Sequence, residues 1–157
     1  MDVQIKTIPE LRTAAVHHVG PYQAISEAFR KLGEIAGRSA LFTQVTAPTM
    51  LAVFHDDPET TPADQLRSDA ALVVPSDVSL PAGLAELRVP GGDYASTVFV
   101  GPYEQLGDAW RRLMGEWLPA SGKRLAPGVS YEVYLNNPQT TPKAELRTEL
   151  RMPIAAS

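Results

Sequence analysis

The sequence predicts an α+β fold built from a tandem βαββ repeat, and three observations support this class. Residues 19–22 (Val-Gly-Pro-Tyr) recur unchanged at 100–103. The polar block at 56–69 recurs at 136–149 with six of its 14 positions identical. Both blocks come in the same order in each half, which is typical of an internal duplication. We therefore expect a pseudo-twofold antiparallel sheet with two helices and a ligand groove between the halves.

Each half begins with a β-rich segment, at residues 12–19 and 92–100, which is followed directly by Gly-Pro-Tyr. A helix should follow, because apolar residues then recur at the spacing of one helical face. The first stripe is Ile25, Ala28, Phe29, Leu32 and Ile35, and the second is Leu106, Ala109, Trp110, Leu113 and Trp117. Gly37 and Pro119 are the predicted helix ends.

A second and a third strand complete each predicted unit. Residues 49–55 and 130–135 read as strands, and the repeated polar block that follows each has the composition of a turn. In the last strand, at 145–152, uncharged and charged side chains alternate, with Leu146, Thr148, Leu150 and Met152 on one face, so its two faces differ in polarity. The segment 76–83 is rich in loop-forming residues. We predict one domain over 1–157, with repeat halves at about 1–75 and 84–155 joined by this linker.

Charge and composition exclude several classes of function. The chain carries 14 Lys and Arg against 18 Asp and Glu and has no basic run, which argues against direct nucleic-acid binding. It has no cysteine, so disulfides and thiolate chemistry are excluded. No apolar run approaches the ~20 residues of a membrane span. The N-terminus lacks the apolar segment of a signal peptide, so a cytoplasmic location is expected.

The sequence contains no recognisable cofactor or metal motif. His17 and His18 are adjacent, and neighbours on a strand point to opposite faces, so they cannot both bind one ion. His55 has no ligand spacing to either of them. No phosphate-binding glycine loop and no nucleophile elbow is present. We predict a protein that needs no cofactor and no metal.

Positions that are equivalent in the repeat but differ in chemistry are candidates for function. Glu132 stands where the first half has Ala52, inside a strongly β-forming run. Strand alternation places Glu132 on one face with Tyr134, as it places Ala52 with Phe54. A buried carboxylate there is costly unless something pairs with it, and a cationic ligand could be that partner. The alternative is that this face is solvated and Glu132 is an ordinary surface charge.

Other differences suggest further members of the same site. Phe29 becomes Trp110, and an indole attracts cations as well as apolar groups, although Trp110 could equally be a core residue on its helix stripe. Tyr22 and Tyr103 are identical, which indicates a shared task where each helix begins. The predicted ligand-binding residues are Glu132, Tyr134, Trp110, Phe54, Tyr22, Tyr103, Tyr94 and His18.

Four motifs together resemble the GyrI-like (SbmC, DNA gyrase inhibitor) family. They are Gly-Pro-Tyr at 20–22, the polar block at 56–69, the loop Val-Pro-Gly-Gly-Asp-Tyr-Ala at 89–95, and Tyr-Glu-Val-Tyr-Leu-Asn-Asn at 131–137. The match runs in order over essentially the whole chain. The resemblance implies a duplicated βαββ domain that binds small molecules.

The resemblance also implies three functions to be distinguished. In AraC-type and MerR-type regulators this domain binds effectors, and the glutamate that matches Glu132 recognises cationic, lipophilic drugs beside aromatic residues such as Tyr134 and Trp110. No helix-turn-helix precedes or follows the domain here, so a stand-alone form is expected. Stand-alone members resemble either inhibitors that bind DNA gyrase or hydrolases that open strained cyclopropanes. For the hydrolases Glu132 would be the catalytic acid or base.

Overall fold

The computed structural model describes residues 1–45 and 47–156, and the chain forms two compact units. The first-repeat unit is Glu10–Pro90, and the second-repeat unit combines Met1–Pro9 with the chain from Gly91 onwards. Each unit has an antiparallel sheet and one helical segment, so the predicted α+β class and its βαββ repeat are confirmed. The groove predicted between the two halves stays a prediction.

The described residues form nine strands and three α-helices. The strands are β1 (Gln4–Ile8), β2 (Leu11–Val19), β3 (Met50–Phe54), β4 (Arg67–Val73), β5 (Ala85–Val89), β6 (Gly92–Val100), β7 (Lys123–Leu125), β8 (Ser130–Tyr134) and β9 (Arg147–Ala156). The helices are α1 (Ser26–Arg38), α2 (Leu106–Arg112) and α3 (Leu118–Ser121), and the π-helical turn Leu113–Trp117 joins α2 to α3. No helix in this part of the chain combines the length and apolarity needed to cross a membrane.

The first-repeat unit orders its strands β3-β4-β2-β5, all antiparallel. Helix α1 packs on one face of this sheet through its predicted stripe, with Ala28, Leu32 and Ile35 all buried. Beneath them lie small and branched apolar side chains of β2 and β4, such as Ala14 and Leu72. The apolar side chains that alternate along the strands and the apolar stripe of the helix therefore pack together on this one face.

The second-repeat unit orders its strands β1-β6-β9-β8, with β7 paired to the end of β9. Helix α2 and the π-helical turn bury Leu106, Ala109 and Leu113 against Leu150 and Met152 of β9. The same faces that were predicted from the sequence therefore form both cores. Strand β1 precedes the first repeat in sequence but pairs with β6 of the second.

Most of the predicted strands are confirmed to within two residues, and three strands were missed. Strands β1 and β5 are edge strands in which three of the five residues are exposed, so they carry little apolar periodicity. Strand β7 has only three residues and pairs solely with β9. Short edge strands depend on a neighbouring strand for their hydrogen bonds, and local sequence does not reveal that neighbour.

The predicted helix end at Pro119 is wrong, and the end at Gly37 lies one residue early. Helix α1 ends at Arg38. The second helical segment continues past Pro119 because α3 begins at Leu118, directly after the π-helical turn. Proline is tolerated in the first turn of a helix, where its missing N–H would not have had a partner within the helix. This segment ends instead at Gly122, which adopts a left-handed conformation with φ 75°.

The repeated Gly-Pro-Tyr forms the same turn in both units. Gly20 and Gly101 have φ of 132° and 148°, which favours glycine, and their N–H groups bond to the carbonyls of Leu66 and Leu146 at 2.8 Å. The proline comes one residue before a 3₁₀ turn and not at the first position of the α-helix. The repeated Gly-Pro-Tyr therefore ends a strand and leads the chain into the helix in both units.

The repeated polar block folds as the same hydrogen-bonded turn in both units. The Oδ1 atoms of Asp57 and Asn137 each accept the N–H two residues later at 2.8 Å. Aspartate and asparagine are interchangeable here because both present this acceptor. Asp56 additionally binds the Arg67 guanidinium, which lowers the pKa of Asp56 to about 2.

Candidate functional site around Glu132

Glu132 lies in the middle of β8 and is only 5% exposed. Its partner in the strand ladder is Leu150, whose side chain belongs to the core beneath α2, so Glu132 points toward the helical side of the sheet. The alternative of a solvated face is therefore wrong. A carboxylate in this position must be stabilised by its neighbours or stay protonated.

Two neutral donors hold the Glu132 carboxylate. The Trp110 indole Nε1 donates to Oε2 at 2.7 Å, and the Tyr134 hydroxyl donates to Oε1 at 2.8 Å. Helix α2 supplies Trp110 from its apolar stripe, so this residue is part of the core and part of the site at once. Strand β8 supplies Tyr134 two residues from Glu132, on the same face as predicted.

Tyr103 extends this cluster from the 3₁₀ turn that precedes α2. Its ring centroid lies 5.3 Å from that of Tyr134, with the planes tilted by 55°. Among the described residues, the Tyr103 hydroxyl makes no hydrogen bond. The phenol ring is thus anchored by Tyr134 while its hydroxyl is available to another molecule.

Burial and mutual repulsion govern the ionisation of this cluster. Burial raises the pKa of Glu132, and the hydrogen bonds from Trp110 and Tyr134 oppose that effect only partly. Burial and the adjacent Glu132 charge raise the pKa of Tyr134 well above its ordinary value. The pKa of Tyr103 is also raised, by burial and then by Glu132.

No cationic side chain among the described residues forms an ion pair with Glu132. The ionised carboxylate would carry a buried charge stabilised only by neutral dipoles, and the protonated form would be a buried acid. Both states have chemical uses. The ionised form attracts a cation flanked by aromatic faces, and the protonated form can transfer a proton.

The equivalent cluster in the first-repeat unit has no ionisable carboxylate at its centre. Ala52 replaces Glu132, and Phe54 packs on Tyr22 with ring centroids 4.7 Å apart. The Tyr22 hydroxyl donates to the carbonyl of Asp56 at 2.6 Å and accepts its N–H at 3.0 Å. Tyr22 therefore uses its hydroxyl to hold the polar turn.

Two other predicted residues occupy different surroundings. Tyr94 is fully buried on the sheet face away from α2, where its ring meets Tyr131 edge to face at 5.4 Å. The structure thus brings Trp110, Tyr134 and Tyr103 together with Glu132 but does not bring Tyr94 to them. In the first-repeat unit, His18 Nε2 lies 3.2 Å from the carbonyl oxygen of Pro21.

Sequence reasoning missed a buried ionic network on that second face. Glu149 is 5% exposed, accepts a hydrogen bond from Ser96 at 2.7 Å and pairs with Arg151 at 2.8 Å. Arg151 also donates to the Tyr131 hydroxyl at 3.1 Å. Burial acts to raise the pKa of Glu149, but the bonds from Arg151 and Ser96 outweigh it, so the pKa is lowered. The alternating charged residues of β9, which include Glu149 and Arg151, were the sequence feature that could have predicted this network.

The equivalent acid in the first-repeat unit is Asp69, which has different partners. Its two carboxylate oxygens lie 3.2 Å from His17 Nδ1 and 2.5 Å from His55 Nε2. His17 and His18 thus contact different groups, as strand alternation predicted. Within the described part of the chain, no cluster of three or more His, Cys, Asp or Glu side chains has the geometry to hold a metal ion.

Solved structures of low sequence identity share this fold. The C-terminal domain of EcmrR matches with a TM-score of 0.78 and 18% identity, over 99% of this chain and 98% of that domain. A hydrolase from Listeria innocua matches with a TM-score of 0.70 and 15% identity, over 98% and 91%. SAV2435 bound to tetraphenylphosphonium matches with a TM-score of 0.70 and 11% identity, over 99% and 94%.

Two relatives of higher sequence identity are both named DNA gyrase inhibitor. The DNA gyrase inhibitor of Erwinia billingiae is 31% identical over 99% of this chain and 98% of its own length. The DNA gyrase inhibitor of Yersinia enterocolitica is 37% identical over 78% of this chain and 79% of its own. The model of the GyrI-like small molecule binding domain matches residues 1–155. The chain therefore belongs to the GyrI-like small-molecule-binding domain family.

Proposed function

We propose that this protein binds lipophilic cations through Glu132 and thereby sequesters toxic or drug-like molecules. The observation that carries the proposal is the buried Glu132 carboxylate, which is 5% exposed and whose only hydrogen-bond donors among the described residues are Trp110 and Tyr134. A ligand cation would compensate its charge, and the aromatic rings around it would cover apolar substituents. Tyr103 would contribute its ring and its unbonded hydroxyl.

Three phenyl-substituted compounds of different charge test the proposal directly. Thermal unfolding of the full chain would be followed with tetraphenylphosphonium, with neutral triphenylphosphine oxide and with anionic tetraphenylborate. Selective binding to the folded state raises the melting temperature by mass action. We expect stabilisation by the cation alone, and its loss in Glu132→Gln, which removes the charge and keeps the shape. Loss of a buried charge pair costs about 2 kcal/mol or more, or roughly 30-fold in Kd.

Glu149→Gln is the matched control, because it neutralises another buried glutamate on the opposite face of the same sheet. This variant should keep the cation-dependent shift relative to its own melting temperature. Equal stabilisation by all three compounds, or an unchanged cation response in Glu132→Gln, would refute the proposal.

A hydrolase is the second candidate, and the raised pKa of Glu132 favours it. A buried carboxyl group whose pKa is raised above its ordinary value can act as base and then as acid. In the opening of a strained cyclopropane, Glu132 would take a proton from water as the oxygen bonds to one ring carbon. It would return that proton to the carbon that receives the electron pair of the broken bond. Mass spectrometry of a model cyclopropane in ¹⁸O water would detect turnover, which Glu132→Gln should abolish.

Inhibition of DNA gyrase is the third candidate, and the names of the relatives at 31% and 37% identity favour it. A protein–protein contact would depend on the surface and not on the buried carboxylate. A supercoiling assay with purified gyrase would therefore show inhibition that Glu132→Gln leaves intact. Inhibition that requires Glu132 would instead link the gyrase effect to the small-molecule site.

A further inference from the structure

The first-repeat unit has an open groove between the end of β2 and helix α1. Strand β5 pairs with β2 only at residues 11–15, so residues 16–19 have a strand partner on the β4 side alone. Beside this free edge lies a cavity of about 420 Å³, bounded by Val16, His17 and His18 on one side and by α1 on the other. Unpaired backbone groups at a sheet edge can take up another strand.

The groove is locally positive on an acidic protein. Its helical wall carries three cationic side chains against two carboxylates, whereas the whole chain has a net charge of −4. Arg30 is paired with both carboxylates, those of Glu27 and Glu34. Lys31 and Arg38 therefore remain as exposed cations without an ion pair among the described residues. An anionic partner would be attracted to these two cations.

The second repeat contains the same groove with the protein's own chain in it. Val16, His17, His18, Ala28 and Lys31 correspond to Thr97, Val98, Phe99, Ala109 and Arg112, which line a smaller cavity of about 110 Å³. Met1 and Asp2, which precede strand β1 in the chain, line that cavity too. The Asp2 carbonyl accepts a hydrogen bond from Thr97 Oγ1 at 2.8 Å. In the second repeat the groove is thus filled by the N-terminal segment of the chain, which is held there through a main-chain carbonyl.

We propose that the groove between residues 16–19 of β2 and helix α1 binds an extended, acidic peptide segment of a partner protein. The segment adds to β2 as a further strand and continues the line of β5. Its carboxylates meet the two exposed cations, Lys31 and Arg38. Main-chain hydrogen bonds supply affinity, and the two cations select the charge. This surface does not involve Glu132.

Peptide titrations of the full chain, followed by NMR shifts of the backbone amides, test the proposal. The probe is a short blocked peptide of alternating valine and glutamate. One control peptide carries lysine in place of glutamate, and another is N-methylated at alternate residues to remove donors. We expect only the first peptide to bind, with shifts confined to residues 16–19 and α1, and with affinity that falls as salt is added.

Charge reversal provides the matched variants. Lys31→Glu combined with Arg38→Glu should weaken binding of the acidic peptide about tenfold or more, because two exposed attractions become repulsions. Arg112→Glu changes the equivalent helix position in the occupied groove and should leave the affinity unchanged. Both variants alter exposed side chains, so folding is preserved.

Several outcomes would overturn the inference. These are equal binding of the lysine peptide, undiminished binding of the N-methylated peptide, shifts that map elsewhere, or no binding by the acidic peptide. Self-association that the double reversal abolishes would identify a second copy of the chain as the occupant and would equally refute a peptide partner. Glu132→Gln should bind the acidic peptide normally, so the result does not depend on the small-molecule site.

Discussion

The second repeat has a polar cluster where the first has an apolar one, although the backbone elements around the two are the same. Glu132, Tyr134 and Trp110 correspond to Ala52, Phe54 and Phe29. The first cluster needs no ligand to satisfy it, since Ala52 has no polar group and Tyr22 is bonded to the backbone of Asp56. Duplication therefore supplies a structural reference within one chain, and the departures of the second copy indicate where function resides.

A second comparison shows a feature that both repeats keep. Asp69 and Glu149 are both buried acids at the same position of equivalent strands, yet one contacts two histidines and the other pairs with arginine. Both copies thus place an acid on this face, while its partners differ. The position reads as structural, in contrast to Glu132, which has no acidic counterpart.

The largest effect is expected from removing the partner of Glu149. Arg151→Leu leaves a buried carboxylate with only Ser96 and the partly exposed Lys6, and breaking such a pair costs about 3–5 kcal/mol of the free energy of unfolding. Urea denaturation would measure the loss. Arg147→Leu, an exposed arginine on the same strand, is the control and should change stability by less than about 0.5 kcal/mol. A similar small change for Arg151→Leu would contradict the structural role.

The two turn glycines should respond unequally to alanine. Both adopt positive φ, where an added side chain costs about 1–3 kcal/mol. At Gly101 a Cβ would also meet Phe99 Cζ at 3.0 Å, whereas at Gly20 the nearest atom is His18 Nε2 at 3.6 Å. Thermal unfolding should therefore show a larger loss for Gly101→Ala than for Gly20→Ala, and the reverse order would disprove the packing difference.

The two buried glutamates should give opposite pH dependence. The folded pKa of Glu132 is raised, so between the unfolded value near 4.5 and that raised pKa the folded state holds the extra proton. Relative to Glu132→Gln, the protein should lose stability as pH rises through this window. The folded pKa of Glu149 is lowered, so its contribution is present above 4.5 and is lost as pH falls through the folded pKa.

Denaturation at several pH values would measure both slopes against the glutamine variants. A single group changes stability by at most about 1.4 kcal/mol for each pH unit. Slopes of the same sign for Glu132 and Glu149 would show that the two environments are electrostatically alike.

The smallest expected effects concern Tyr22 and Tyr103, the tyrosines of the two Gly-Pro-Tyr turns. Tyr22→Phe removes a hydroxyl that donates and accepts one bond each with Asp56, which should cost about 1 kcal/mol or somewhat more. Tyr103→Phe removes a hydroxyl without a hydrogen bond among the described residues and should be nearly neutral for folding. In the thermal-shift assay only Tyr103→Phe should alter ligand affinity. Equal costs for the two variants would mean that the hydroxyls have one role.

Local sequence was sufficient for the site's two nearest relationships. Period-2 alternation put Tyr134 on the face of Glu132, and the helical stripe put Trp110 on the buried side of α2. Local sequence did not predict the contact between Trp110 and Glu132, because the indole reaches the carboxylate only when α2 packs over β8. Alternation likewise separated Glu149 and Arg151 from the apolar face of β9 but did not reveal that their own face is buried.

The sequence by itself determined the duplication, the α+β class, the strand and helix faces and the identity of the exceptional glutamate. These follow from spacing along the chain, since backbone geometry converts periods of two and 3.6 residues into faces. Tertiary structure alone decided that β1 pairs with β6, that the donors to Glu132 within the described part of the chain are neutral, and that one repeat groove is open while the other holds the N-terminal segment. Those outcomes depend on contacts between residues far apart in sequence, whose burial and pairing no local pattern encodes.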